Sequence, residues 1–164
     1  MNGPFSPRVV LSGDHRGTAL RQVLAEWCCD RGLAVEDVGP PPRSPSVDYP
    51  DEALSVAQAV AAGEADLGIL VCGSGIGVSI AANKVAGVRA ALIHDPLSAA
   101  LARRHNDANV LCFGAGIIGP EMAVAALQAY LEASFEGGRH ARRLEKIAAL
   151  EQREPGRERE GEEE

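Results

Sequence analysis

A chain of 164 residues has room for one well-buried core and not for two ordinary domains, so any site must be built on one domain or between copies of it. Its residues are 46% hydrophobic but only 4% aromatic, which predicts a core of Ala, Val, Leu and Ile, as suits a parallel sheet covered by helices. The formal net charge of −7 argues against a nucleic-acid partner, while a local basic pocket for a phosphorylated small molecule stays open.

Residues 1–7, MNGPFSP, read as an N-terminal extension without the charged and apolar regions of a secretory leader. No apolar run approaches the roughly 18 to 20 residues that span a bilayer, so no membrane partner is expected and the cytoplasm is the expected compartment. Short β-type runs closed by Gly or Asp then alternate with helical patterns. The first run is RVVLSG (8–13), followed by Leu20, Val23, Leu24 and Trp27 at helical spacing. LAVEDVG (33–39) is the second, and GPPPRSPSVDYP (39–50), with five prolines, predicts a surface loop that ends where a helix begins after Tyr49. Leu54, Ala57, Val60 and Ala61 mark that helix.

LGILVCG (67–73) is the third run, and the GSGIG after Cys72 predicts a tight turn into a helix. VRAALIH (88–94) and NVLCFG (109–114) complete five strands, separated by a helical pattern through Leu97, Ala100 and Leu101. Two further helices are expected over 119–135 and 136–153, the second after a Gly-Gly break. Such β-α alternation calls for right-handed crossovers, a five-stranded parallel sheet and helices on both faces, an α/β three-layer sandwich. The single domain is drawn over 8–150. Residues 151–164, EQREPGREREGEEE, carry seven Glu and three Arg without apolar periodicity and read as a disordered acidic tail.

Loops that follow parallel strands sit at the carboxyl edge of the sheet, where open α/β folds bind ligands. GDHRG, DYP, CGSGIG and FGAGIIG therefore share one rim. Cys28, Cys29 and Cys112 read as reduced structural thiols, and no CxxC metal spacing is present. Cys72 differs in standing where a strand meets a helix start, whose positive end favours thiolate. Gly73, Gly75 and Gly77 let several N–H groups aim at one negative atom, either a phosphate oxygen or a transient oxyanion. The spacing fits neither a dinucleotide fingerprint nor a Walker loop, and a glycine turn is also a plain packing device.

Asp14 and His15 follow the first strand, and Asp14 also suits a helix cap. His105 and Asn106 close the helix before the fifth strand, while His94 is left structural. Arg139 and Arg143, one helical turn apart, could hold a dianion or form a solvated face. Thiolate, anion cradle, two histidines and an arginine pair suit proton abstraction beside a carbonyl through an enediolate.

Taken together, GDHRG (13–17), DYP (48–50), CGSGIGVSIAANKVAGVRAAL (72–92), SAALARRHNDANVL (98–111) and EGGRHARR (136–143) resemble the type B ribose-5-phosphate isomerase family, which also holds the galactose-6-phosphate isomerase subunits. The resemblance runs in order from about residue 8 to 150. It implies a Rossmann-like fold and isomerisation of ribose 5-phosphate and ribulose 5-phosphate, with no metal or organic cofactor. By the same resemblance Cys72 is the base that moves a proton between C1 and C2, and Ser74 with the backbone of Gly73 to Gly77 stabilises the enediolate. His105 opens the furanose, with Asp14 as its counterpart. His15, Arg139 and Arg143 contact phosphate, and Tyr49 and Asn106 contact hydroxyls. The site is expected between two subunits of a homodimer, with pairing into a tetramer as a further option.

Two positions depart from the family pattern. Gly116 stands where relatives commonly carry a phosphate-site arginine, and Arg16 stands where a small or apolar residue is usual. Val78 holds the place where some relatives put a glutamate base, which leaves the cysteine version. Arg16 is expected to compensate for Gly116, unless the substrate is a tetrose, a hexose phosphate or an unphosphorylated sugar. A sugar-binding regulatory protein on the same scaffold is the non-enzymatic alternative.

Overall fold

The computed structural model describes residues 7–152, so nearly all of the expected tail and the chain before Pro7 lie outside the described residues. In chain order the elements are β1 (Arg8–Gly13), α1 (Thr18–Asp30), β2 (Ala34–Asp37), α2 (Tyr49–Ala61), β3 (Leu67–Cys72), α3 (Ile76–Ala82), β4 (Ala90–Leu92), α4 (Pro96–Asn106), β5 (Val110–Gly114), α5 (Pro120–Glu132) and α6 (Arg139–Glu151). All five expected strands are present. Each of α2, α4 and α5 opens with proline in its first turn, where the missing N–H costs no helical hydrogen bond. Asp95 also caps α4 by accepting the Ser98 N–H at 2.8 Å.

The strands form one parallel sheet in the order β2-β1-β3-β5-β4. Alternate residues of each central strand enter different cores, as the two-residue period of a strand requires. Val9, Leu11, Ile69, Val71, Leu111 and Phe113 face the layer of α1, α4 and α5. Val10, Leu70, Cys72, Val110 and Cys112 face α2 and α3. The helices meet the sheet largely through small side chains, among them Ala53, Val56, Ala57, Ala99, Ala123 and Ala126, which lets them lie close to it without aromatic residues.

The edge strands are shorter than their apolar runs. Before β4, the Arg89 N–H is taken by the Asn109 side chain at 2.8 Å, and ladder pairing starts only at Ala90. After β2, the chain turns where Asp37 meets the buried Arg21 guanidinium at 3.0 Å. α6 also starts later than expected, at Arg139, because Gly137 and Gly138 take φ of +63° and +54° and act as the turn into the helix. No helix among the described residues is long and apolar enough to cross a membrane.

Candidate active site

In this strand order β1 and β3 are neighbours while the chain leaves them in opposite directions, which opens a crevice beyond their carboxyl ends. The pocket there is lined by Asp14 and Arg16 after β1, Tyr49 at the start of α2, Cys72, Gly73, Ser74 and Gly77 after β3, and Gly116 and Ile117 after β5. The rim expected from strand order is therefore a continuous surface.

Cys72 is buried at the end of β3, and its Sγ accepts the Gly75 N–H at 3.1 Å. Gly75 makes this turn possible with φ of +76°, and a Cβ there would lie 2.6 Å from Leu92 Cδ1 and 2.9 Å from the Phe113 carbonyl carbon. A Cβ on Gly77 would lie 2.6 Å from two atoms of the Tyr49 ring, so the ring rests directly on the glycine loop. The loop after β5 is laced to the same turn, since Ala115 N–H donates to the Cys72 carbonyl and Gly116 N–H to the Gly73 carbonyl, both at 2.9 Å. The Ile76 N–H is paired with Ser74 Oγ at 3.3 Å.

Asp14 is buried, and its Oδ1 accepts the N–H groups of Arg16 and Gly17 at 2.9 and 3.1 Å. These bonds close the turn before α1, whose N-cap is Gly17 without a side-chain cap bond, so Asp14 does not cap the helix and the turn instead fixes its carboxylate at the pocket wall. The Arg16 guanidinium lies against Gly73, where a Cβ would be 2.9 Å from Cζ. Among the described residues no carboxylate is within ion-pair distance of it. His15 points away from this pocket, with Nδ1 3.2 Å from Ser46 Oγ, in a neighbouring groove under the proline-rich loop.

The remaining expected residues gather elsewhere. His105, in the last turn of α4, stacks on His140 of α6 with ring centroids 4.2 Å apart and planes 5° apart. Glu136 Oε2 is 3.7 Å from the Nε2 of both rings. Arg139 Nε–H donates to His140 Nε2 at 3.4 Å, and Arg143 is also close enough to act on His140 electrostatically. Burial above all, with help from His105 and Arg139, pushes the His140 imidazole below its ordinary value. Asn106, beside His105, gives its carbonyl to Arg89. None of His105, Asn106, Arg139 or Arg143 lines the Cys72 pocket of the same chain.

Four contributors were not anticipated. Arg21, fully buried in α1, donates to the Gly13 and Pro40 carbonyls and so ties the proline-rich loop to the end of β1. Its charge gave no sign of burial in the sequence. Glu136 and His140 lie inside EGGRHARR at a four-residue spacing that does carry a signal, although their meeting with His105 depends on how α6 lies against α4. Cys112 lies on the same sheet face as Cys72, two residues out of register, a neighbour invisible in sequence.

Comparison with known proteins adds to this geometry. Residues 9–147 match the family model described as Ribose/Galactose Isomerase. The chain is 48% identical over 146 residues to ribose-5-phosphate isomerase B of Escherichia coli K12, covering 89% of this chain and 97% of that one. It is 41% identical over 146 residues to a D-erythrulose-4-phosphate isomerase of Pectobacterium atrosepticum, covering 89% and 96%. The crystal structure of ribose-5-phosphate isomerase B from Mycoplasma genitalium with bound ribulose 5-phosphate superposes with a TM-score of 0.84 at 42% identity, over 88% of this chain and 95% of that one.

Proposed function

The chain belongs to the ribose/galactose isomerase family, and from that premise we propose that it interconverts ribose 5-phosphate and ribulose 5-phosphate. The observation that carries this reading is the Cys72 sulfur, seated at the end of β3 in a pocket walled by the glycine loop, Asp14, Arg16 and Tyr49. A base set beside N–H donors can take a proton while the charge it creates is stabilised.

The furanose is opened first. Asp14 takes the proton of the anomeric hydroxyl, the C1–ring oxygen bond breaks, and His105 delivers a proton to the departing ring oxygen. The Cys72 thiolate then removes the C2 proton, and the electron pair moves through C1 onto the aldehyde oxygen, giving an enediolate faced by Ser74 and the turn from Gly73 to Gly77. Return of the thiol proton to C1, with transfer of the O2 proton to O1, gives the ketose. Tyr49 and Asn106 hold hydroxyls, and Arg139 and Arg143 hold the phosphate, which His15 joins only by leaving Ser46. Arg16, unpaired and lying over Gly73, supplies the cation that Gly116 cannot.

The division of these residues between two places supports a homodimer in which His105, Asn106, Arg139 and Arg143 of one protomer complete the Cys72 pocket of its partner. We assign the enzyme to the cytoplasm, where sugar phosphates are found. A tetrose phosphate is the second reading, favoured by Gly116 together with the similarity to the D-erythrulose-4-phosphate isomerase.

The deciding experiment is turnover by the purified protein and its Cys72→Ala variant on ribose 5-phosphate, erythrose 4-phosphate, allose 6-phosphate and unphosphorylated ribose. Cys72-dependent turnover of ribose 5-phosphate above the others is the expected result. Turnover of erythrose 4-phosphate alone would move the assignment to the tetrose. Sugar binding without turnover of any of the four would favour the regulatory alternative.

A further inference from the structure

His105 does not stand alone. Its ring is stacked almost parallel on His140, both Nε2 atoms face one oxygen of Glu136, and the Arg139 Nε–H donates to His140 Nε2. Two readings of a His-Glu-His cluster compete. A shared metal ion needs the lone pairs of both rings to converge on one point. Rings 4.2 Å apart and 5° from parallel direct their lone pairs side by side, so the arrangement suits protons.

Two stacked imidazoles cannot both be charged without strong repulsion, so the question is which ring takes the proton. His140 is the less favoured ring, although Glu136 faces it as closely as it faces His105. It is only 5% exposed, its Nε2 already accepts the Arg139 Nε–H, and Arg143 adds a second positive charge nearby. His105 is more open to solvent and stands in the last turn of α4, where the helix dipole favours a cation. Glu136 is the carboxylate facing it, placed by its own N–H bond to the Arg104 carbonyl at 3.0 Å and by the glycine turn that follows.

We infer that Glu136 and His140 are positioning residues for His105: the carboxylate supports the imidazolium, and the stacked neutral ring fixes its plane, so that His105 is ready to protonate the furanose ring oxygen. The inference rests on the reading of His105 as the ring-opening acid. It also links two functions, because the ring that backs His105 accepts a hydrogen bond from Arg139. Phosphate held by Arg139 and ring oxygen met by His105 are then set at a constant separation.

The test is the pH profile of ribose 5-phosphate turnover by the wild-type enzyme and by Glu136→Gln. Because His105 must be protonated to act, turnover falls on the alkaline side, and in Glu136→Gln that fall should begin at lower pH, with kcat near neutrality down about threefold. An unshifted profile in Glu136→Gln would overturn the inference. In His140→Phe, which keeps a stacked ring but cannot accept from Arg139, KM for ribose 5-phosphate should rise more than kcat falls.

Erythrose 4-phosphate separates this inference from the reading beneath it. Its O4 carries the phosphate, so it cannot close a furanose and needs no ring-opening acid. His105→Asn should spare it relative to ribose 5-phosphate, and Glu136→Gln should do the same. Equal losses on both sugars in His105→Asn would sink the ring-opening role itself. A selective loss in His105→Asn beside an equal loss in Glu136→Gln would sink only the positioning role.

Discussion

Around Cys72 the site is made by backbone held against backbone, whereas around His105 it is made by side chains meeting at the ends of two helices. Cys72, the glycine turn and the loop after β5 are locked by main-chain hydrogen bonds and by contacts too close for any Cβ. The second region holds its geometry through a ring stack, one carboxylate and exposed arginines. The first is rigid because it is part of the sheet core. The second depends on side chains that are partly exposed, so its geometry follows their charges and hydrogen bonds.

The predictions that follow bear on this contrast. Cys72→Ala should lower kcat by about 10²- to 10⁴-fold, the usual contribution of a positioned general base, with folding unchanged by circular dichroism. Co-refolding it with His105→Asn should then restore about a quarter of wild-type turnover, because half the dimers are mixed and each has one site with both halves intact. Failure to recover any activity would mean that the two regions do not meet across an interface.

Gly75→Ala should cost about 2 kcal/mol, from the positive φ and the contacts with Leu92 and Phe113, and should lower activity in parallel. Chemical denaturation measures it. A fully stable Gly75→Ala protein would refute the description of the Cys72 region as backbone-locked.

Arg16→Ala should raise KM for ribose 5-phosphate about tenfold with little change in kcat, the weight of one charge-assisted hydrogen bond to a phosphate. An unchanged KM for every phosphosugar would remove Arg16 from the site and leave Gly116 uncompensated.

The smallest effect is expected outside both regions, at the Arg8–Asp66 pair. Hydrogen bonds from Arg8 hold the Asp66 carboxyl below the usual carboxylate range, so its contribution to stability is present above that range and is lost as pH falls through the lowered value. Asp66→Asn should slightly lower the Tm at pH 7, and the difference from wild type should vanish in acid. Turnover should not change, since the pair touches neither region.

The two regions also differed in how far they could be read from the sequence. The five strands, the proline-rich loop and the glycine turn were legible because apolar period, proline and glycine act locally on the backbone. Strand ends were overdrawn at β2 and β4 because edge pairing is decided by partners such as Asn109 and Arg21, which are remote in sequence. Cys72, Asp14 and Ser74 could be proposed together because each directly follows a strand, and parallel strands bring their carboxyl ends to one rim. His15 shows the limit of that rule, since it sits on the rim yet turns towards Ser46.

What the sequence determined by itself was the α/β alternation, the place of the thiol before the glycines, and the resemblance from which the chemistry was inferred. These depend on neighbours within a few residues or on the order of motifs. Tertiary structure alone decided that β1 lies beside β3 and opens the crevice, that Arg16 lies over Gly73, and that α6 carries Glu136 and His140 to His105. The physical reason is that each of these contacts joins segments whose distance in space is set by how the sheet is ordered and how helices pack on it, and no local periodicity records either.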